Sequence, residues 1–363
     1  MPKTLARSTP PSPDGDADLT PGHSGGGSRP GRRFPPGSFS WRSLSPKRMS
    51  PAVLITLLGV LSVLAIVLFM TIDLRGNLSY ALTRRGIRVG AMLVVAVAVG
   101  LSTLMFQTVT SNRILTPSIM GFDALYILIQ TALVFALGSS TLLTASPSLK
   151  FAVEVGLMVV FSALLYRWLF TGGNGSLHLM LLVGIVIGTL FRGFSSLLQR
   201  LMEPSEYIVL QDLFFASFNQ VDPVLLGISA LIVLAILVVV WRLRKSFDVL
   251  ALGRETAINL GVDHRRIVTL VLVLCSILVA VSTALVGPVT FFGLLVVSLA
   301  YQMVRRFSHA ALIPVVCLLG VIMLVGGQLV LERVFGFATA LSVIIEFAGG
   351  LLFLYLLLKG SLK

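Results

Sequence analysis

Carboxylates inside long apolar stretches are the side chains in this sequence most able to do chemistry, because a charge in such surroundings is costly and usually functional. Glu346 lies near the middle of the last apolar run. It is expected to bond to Ser, Thr or Gln of a neighbouring helix, to contact another subunit, or to relay a proton or cation. Asp123 follows the Gly121 turn and is better explained as an interfacial carboxylate. Glu154 and Glu332 fall near predicted span ends, where solvation is cheap and structural and docking roles are both open.

Residues that bind metals or act as nucleophiles do not form a matching set. Cys275 and Cys317 each stand alone in an apolar run, without CxxC spacing. The histidines are not spaced i, i+4 within a span, as two metal ligands on one helix face would be. They are His23, His178, His264 and His309. We therefore expect no metal site and no cofactor on this chain, and no catalytic set of a membrane enzyme.

The composition identifies the lipid bilayer as the main solvent of this chain. The mean hydropathy is +0.97, and only 12% of the residues are charged. A net charge of +13 could indicate a nucleic-acid partner. The basic residues lie in an N-terminal tail and a few loops between long uncharged runs, which is the distribution that membrane topology requires. Nucleic acid is therefore not an expected partner.

Stretches of about 20 mostly apolar residues, long enough to cross about 30 Å of hydrocarbon as a helix, recur along the chain. They predict an all-α polytopic membrane protein with about ten transmembrane helices, of which the fifth and eighth are short. The predicted spans are 51–70, 89–109, 119–137, 151–170, 177–191, 223–241, 267–286, 294–304, 310–331 and 338–358. The uncharged run 267–304 is too long for one crossing, and Gly287-Pro288 is the expected break.

This pattern divides the chain into two regions. Residues 1–50, rich in Pro, Gly, Ser and Arg, are expected to form a disordered tail. Residues 51–363 are expected to form a single transmembrane domain. Most of the 28 Lys and Arg residues lie in the tail and in those loops that share a side of the membrane with the N-terminus. The positive-inside rule makes this the cytoplasmic side. We therefore predict a multi-pass protein of the bacterial cytoplasmic membrane with both termini cytoplasmic.

The longest inner loop carries a segment, residues 246–263, with apolar residues at helical spacing. Gly253 and Gly261 are suited to end two short helices, so an amphipathic helical hairpin is expected on the cytoplasmic face. Such a hairpin could lie on lipid headgroups. Because the segment is short and carries acidic as well as basic groups, a protein partner explains it better.

This segment closely resembles the cytoplasmic signature of the FecCD-type permeases, a family that imports ferric siderophores, haem and cobalamin. The residues that carry the resemblance are Leu252, Gly253, Arg254, Glu255, Thr256 and Ala257, followed by Leu260, Gly261 and Val262. Two further parts are similar to the family, namely Gln107 with residues 112–121, and the glycine-rich turn 287–294. With the ten-span count, the resemblance covers residues 51–363.

The resemblance implies the permease subunit of a type II ABC importer, which is not an enzyme by itself. In this family the signature segment couples to an ATPase subunit, and this chain has no GxxxxGK[ST] phosphate loop of its own. ATP and Mg²⁺ would therefore bind to partner ATPase subunits. The other implied partners are a second permease chain, identical or homologous, and an extracytoplasmic substrate-binding protein.

The resemblance also indicates residues of the translocation path or its gate, which Glu346 joins as an intramembrane carboxylate. The others are Gln107, Asn112, Pro117, Gly121, Gly287, Pro288 and Gly293. Departures from the family pattern at residues 122–124 and 297–301 favour a ferric chelate over cobalamin. The open alternatives are haem or cobalamin transport within the family and a gradient-driven secondary transporter, which Glu346 would support.

Overall fold

The computed structural model describes residues 50–72, 78–140, 146–171, 177–304, 308–334 and 341–361. Within these ranges the chain forms twelve α-helices and one 3₁₀ turn, Pro117–Met120. The helices are α1 Pro51–Thr71, α2 Leu78–Thr110, α3 Phe122–Leu137, α4 Pro147–Thr171, α5 Leu177–Leu201, α6 Pro204–Leu213, α7 Pro223–Leu250, α8 Arg254–Asn259, α9 His264–Val286, α10 Phe292–Met303, α11 His309–Val334 and α12 Leu341–Ser361. The all-α prediction is confirmed. The predicted tail, residues 1–50, lies outside the described ranges except for Ser50, and it stays a prediction.

The long helices match the predicted spans. In the described ranges seven helices are long and apolar enough to cross a bilayer, namely α1, α2, α4, α5, α7, α9 and α11. Three further apolar helices, α3, α10 and α12, account for the remaining predicted spans. The short helix α6 was not predicted. The expected start of the tenth span, at residue 338, lies outside the described ranges.

The fifth span is not short, contrary to the prediction. Helix α5 continues to Leu201 through Arg192 and Arg200, although Arg192 ends the apolar run in the sequence. A helix satisfies its backbone hydrogen bonds whatever its side chains are, so a charged residue ends the apolar run without ending the helix. The short spans are α3, with 16 residues, and α10, with 12 residues.

Helix α2 lies at the centre of the bundle, in contact with α7, α9, α10 and α11. It is the most deeply buried of the seven long helices. Because lipid is as apolar as a protein core, small residues that allow close approach decide which helices pack together. Gly100 of α2 packs against Val316 of α11, and Gly320 of α11 packs against Ala96 of α2. Helix α2 is therefore the frame that holds its neighbours.

The predicted hairpin of two short helices in the 246–263 segment is only partly correct. Helix α7 continues without interruption to Leu250, because Phe247 and Leu250 both point inward and are buried. A single short helix, α8, then follows. Gly253 and Gly261 have φ values of 98° and 81°, so both predicted helix breaks are confirmed.

Candidate coupling segment and midmembrane junction

The 246–263 segment presents large apolar side chains on the outside of the chain, at one end of the bundle. Leu252, Ile258 and Leu260 are 61%, 51% and 59% exposed. The side chains of Arg254 and Glu255 are exposed beside them. An exposed apolar cluster with a polar rim is typical of a protein contact. The segment therefore has the composition of a docking surface.

A buried side chain and backbone hydrogen bonds beneath this surface hold it in place. Ala257 is fully buried, and its carbonyl accepts the N–H of Val262 at 3.0 Å. The carbonyl of Thr256 accepts the N–H of Leu260, also at 3.0 Å. Helix α8 contacts the adjoining ends of α7 and α9. A force applied to α8 is therefore passed directly to two long helices.

Two interrupted stretches of backbone meet beside the middle of α2. Pro117 of the 3₁₀ turn and Gly287 at the end of α9 line one small cavity, together with Thr103 of α2. We call residues 117–123 and 287–293 the midmembrane junction. Non-helical backbone is tolerated at membrane depth only where protein or water covers it, and discontinuous helices near the midplane are typical of transporters. The predicted break at Gly287 is thus confirmed.

Asp123 and Thr290 join the two halves of the junction. Thr290 Oγ1 donates a hydrogen bond to the Asp123 carboxylate at 2.8 Å. Asp123 lines the cavity beside the middle of α2, so its interpretation as an interfacial carboxylate is wrong. The chain returns from the end of α2 toward its middle before α3 begins, which a count of apolar spans does not reveal. The cavity has room for about one water molecule.

Close backbone contacts seal the junction. Gly121 lies against the backbone of Gly188 on α5, and a side chain at Gly293 would overlap that of Thr103. Pro288 is buried beside Gly287. The structure therefore brings together five of the predicted path residues: Pro117, Gly121, Gly287, Pro288 and Gly293.

Gln107 and Asn112 lie apart from the junction, at the end of α2. Asn112 Oδ1 accepts the N–H of Ile114 at 3.0 Å, and the N–H of Asn112 donates to the Gln107 carbonyl at 3.2 Å. The Gln107 side chain is buried, and its amide has no hydrogen-bond partner among the described residues. These two residues shape the turn that leads back into the 3₁₀ segment.

Glu346 is exposed on α12, beside the face that carries the buried Ile345 and Gly349. The carboxylate of Asp123 lies close enough for the two negative charges to repel each other. A carboxylate that faces lipid at the bilayer centre costs about 2.5–3.5 kcal/mol even on insertion scales. Glu346 therefore needs a protein or aqueous neighbour.

Glu154 and Glu332 are paired inside the chain. Glu154 is 1% exposed and accepts a hydrogen bond from Gln130 Nε2 at 2.6 Å, so its expected solvation is wrong. Glu332 accepts hydrogen bonds from Arg88 at 3.4 Å and from Gln328 at 3.2 Å. These contacts support a structural role for both residues.

An open vestibule of about 1260 Å³ lies at the end of the bundle opposite the 246–263 segment. Charged side chains of both signs line it, namely Arg84, Arg88, Lys150, Glu154, Asp212 and Asp222. Gly287 borders both this vestibule and the small cavity. The midmembrane junction therefore closes the floor of the vestibule.

The sequence did not reveal a buried polar group at the base of the 246–263 segment. His309 lies 2.7 Å from Asp248 and 2.9 Å from Thr108. The spacing of the histidines along the sequence can indicate a metal site, but it cannot show that His309 pairs with a distant carboxylate. Among the described residues, no group of His, Cys, Asp and Glu side chains could hold a metal ion. The sequence did indicate that Asp248 and His309 both lie near the ends of predicted spans, on the same predicted side of the membrane.

Comparisons with known proteins test the family resemblance that was drawn from the 246–263 segment and from the junction residues. A model of the FecCD transport family matches residues 49–359. The chain is 49% identical to the petrobactin import system permease protein YclO of Bacillus subtilis (strain 168), over 84% of this chain and 96% of that protein. It is 38% identical to the petrobactin import system permease protein FatC of Bacillus anthracis, over 88% of this chain and 92% of that protein.

The fold has a counterpart among solved structures. An inward-facing metal-chelate type ABC transporter superposes with a TM-score of 0.74 at 22% identity, covering 85% of this chain and all of that chain. At this identity the likeness concerns the fold alone. The family match, in contrast, spans both the 246–263 segment and the midmembrane junction. The resemblance drawn from Gly253, Glu255 and Gly287 is thus confirmed, and the chain is a multi-pass membrane protein of the FecCD transport family.

Proposed function

We propose that this chain is the permease subunit of an ATP-driven ABC importer that carries ferric petrobactin, or a closely related ferric chelate, across the cytoplasmic membrane. The observation that carries the proposal is the 49% identity with a permease named for petrobactin import, over 96% of that protein. The vestibule of about 1260 Å³ is large enough for a small-molecule ligand.

The 246–263 segment is the proposed contact with the ATPase. Its exposed Leu252, Ile258 and Leu260 would enter an apolar cleft, and the exposed Arg254 and Glu255 would pair with charges at its rim. ATP and Mg²⁺ would bind to the partner, because this chain has no phosphate loop. Closure of the ATPase subunits would then move α8 together with the ends of α7 and α9 as a rigid body.

A second permease chain, identical or homologous, would complete the translocation path. The cavity at the junction admits about one water molecule, so a ferric chelate needs another route than the interior of one chain. The exposed Glu346 separately needs a neighbour other than lipid. A path between two permease chains, bordered by the junction and by α12, meets both requirements.

The two ends of the bundle would face opposite compartments. Basic residues accumulate at the 246–263 end, which favours the cytoplasmic side for it. These residues are Arg242, Arg244, Lys245, Arg254, Arg265 and Arg266. The vestibule would then open outward and receive the chelate from an extracytoplasmic substrate-binding protein.

Removing the charge of Glu346 is expected to impair transport without preventing assembly. Glu346→Gln keeps the size of the side chain, so we expect uptake of ferric petrobactin to fall about tenfold through loss of the negative charge alone. Glu346→Asp, which keeps the charge, is the control and should retain most of the uptake. Uptake is measured beside co-purification of the ATPase. Full uptake with normal assembly in Glu346→Gln would exclude a role in the path or at a subunit contact.

The first test of the proposed function is uptake of radio-iron in cells with and without this gene. Iron is presented as ferric petrobactin, ferric enterobactin, a ferric hydroxamate and ferric citrate. We expect loss of petrobactin-dependent uptake only, insensitive to collapse of the proton gradient while ATP is maintained.

The other outcomes would select the alternatives. Unchanged uptake for every ferric chelate would contradict the proposed substrate and favour haem or cobalamin within the same family. Uptake that stops when the gradient collapses would favour a secondary transporter, with Glu346 as its carboxylate.

A further inference from the structure

A chain of hydrogen bonds begins where the 246–263 segment leaves α7. Asp248 Oδ1 accepts hydrogen bonds from both the backbone N–H and the ring Nδ1 of His309, each at 2.7 Å. His309 is the first residue of α11, so the carboxylate also lies at a helix N-terminus, where negative charge is stabilised. The His309 ring is 3% exposed and packs against Phe247, with 5.6 Å between the ring centroids.

The second ring nitrogen of His309 extends this chain to two more helices. His309 Nε2 is 2.9 Å from Thr108 Oγ1, near the end of α2. Tyr301 of α10 lies beside Thr108, and the guanidinium of Arg113 lies 4.9 Å from the centroid of the Tyr301 ring. We call Asp248, His309, Thr108 and Tyr301 the His309 cluster.

The donors and acceptors of the His309 cluster are matched. Because the carboxylate of Asp248 accepts, Nδ1 of His309 carries a proton. A neutral ring then accepts the Thr108 hydroxyl at Nε2. If Thr108 donates instead to the Leu104 carbonyl, 2.8 Å away, His309 donates from both nitrogens and pairs with Asp248 as a cation. In both arrangements Asp248, His309 and Thr108 stay bonded to one another, and burial strengthens these bonds.

Two helices, α2 and α10, connect the His309 cluster directly to the midmembrane junction. Helix α10 has only 12 residues and carries Gly293 in its first turn and Tyr301 near its end. Helix α2 carries Thr103 at the junction and Thr108 in the cluster. A short helix and the most buried long helix therefore each touch both places.

We propose that His309 is the positioning residue that ties the 246–263 segment to α2, α10 and α11, so that these helix ends follow the segment as one body. The proposal rests on the proposed function, since a docked ATPase is what would move the segment. When the ATPase subunits close, the displaced ends of α2 and α10 would carry the movement along these two rigid helices to the midmembrane junction.

Two isosteric variants of His309 separate the two bonds of its ring. The amide of Asn places a donor near the position of Nδ1 and loses the bond to Thr108. The amide of Gln places a donor near the position of Nε2 and loses only the ring bond to Asp248, because the backbone N–H of residue 309 still donates to that carboxylate. His309→Ala loses both ring bonds and keeps the backbone bond to Asp248. The complete complex, with ATPase subunits and binding protein carrying ferric petrobactin, is reconstituted in liposomes. Transported iron and hydrolysed ATP are then measured per assembled complex.

We expect His309→Ala and His309→Asn, which both release Thr108 and with it α2, to lower the ratio of iron transported to ATP hydrolysed about tenfold, with basal ATP hydrolysis unchanged. His309→Gln, which keeps the bond to Thr108 while the backbone N–H still donates to Asp248, should restore most of this ratio. A wild-type ratio in His309→Ala would overturn the proposal. Fewer assembled complexes in all three variants, each with a normal ratio, would overturn it as well, because that is the result of a merely structural role.

A second measurement does not depend on the substrate. Spin labels at the exposed Ala251 and Ala310 report the spacing between the end of α7 and the start of α11 in the complex with ATPase. In the wild type this spacing should change by less than about 2 Å when a non-hydrolysable ATP analogue binds, whereas in His309→Ala it should change by more. Equal changes in both would overturn the proposal. A wild-type complex that binds its ATPase without transporting ferric petrobactin would contradict the proposed substrate. The spin-label measurement would then still test the role of His309, because it does not use the substrate.

Discussion

Reversing a single charge, Glu255→Arg, is expected to abolish ATP-driven uptake while the chain remains inserted in the membrane. Glu255 is exposed in the first turn of α8, where replacing it by a cation costs only about 0.3–1 kcal/mol of helix stability. A like-charge contact inside an interface costs several kcal/mol, so the affinity for the ATPase should fall at least about a hundredfold. The measurements are co-purification of the ATPase with the solubilised permease, and uptake of ferric petrobactin.

The matched control is the same reversal at the other end of the bundle. Glu203 is exposed before α6, and its side chain does not cap that helix. Glu203→Arg should leave the ATPase bound, whatever its effect on the outer face. Retention of the ATPase by Glu255→Arg at the level of this control would contradict the assignment of the 246–263 segment.

A backbone change at the same segment should give the same loss of uptake by a different route. Gly253 has φ of 98°, whereas proline is restricted to about −65°. Gly253→Pro also removes the N–H that donates to the Leu250 carbonyl at 3.0 Å. The exposed residues of α8 would then leave their positions while the long helices stay intact. Full uptake in both Gly253→Pro and Glu255→Arg, at normal expression, would refute the coupling role.

Much of the fold could be predicted from the sequence, because the bilayer imposes a length on every crossing helix. Apolar runs located the spans, and Gly253, Gly261 and Gly287 were recognisable as breaks because each has a backbone conformation that favours glycine. Where a span ends was less predictable. Arg192 lies within α5 because the side chain that ends an apolar run does not interrupt backbone hydrogen bonding.

The candidate site was less accessible than the fold because it depends on depth and on distant pairings. Asp123 appeared to lie at a span end, since the sequence does not show that the preceding segment returns to the middle of α2. Asp248 and His309 are 61 residues apart, and their contact follows only from the order in which α7 and α11 pack. Family resemblance located the residues of the junction, yet the cavity they enclose required the three-dimensional packing.

Substitution of Gly287 is expected to destabilise the folded chain strongly. Gly287 has φ of 101° and ψ of 172°, a region open almost only to glycine. A Cβ there would lie 3.1 Å from Cα of Ala216 and 3.2 Å from the Phe215 carbonyl oxygen. Backbone strain of about 1–3 kcal/mol and overpacking of a similar size should together destabilise Gly287→Val by roughly 3 kcal/mol.

This expectation can be measured with a thiol-reactive dye, because Cys275 is 1% exposed and becomes reactive only on unfolding. With Cys317 replaced by Ser, the thermal midpoint of Gly287→Val should fall by at least about 5 °C. Gly227→Val is the matched control, since nothing lies within 4 Å of the added Cβ on the exposed side of α7. Equal midpoints for the two variants would mean that the junction tolerates a side chain. A selective loss in Gly287→Val would instead show that the floor of the vestibule depends on close backbone packing, which is what a movable but closed barrier between two compartments requires.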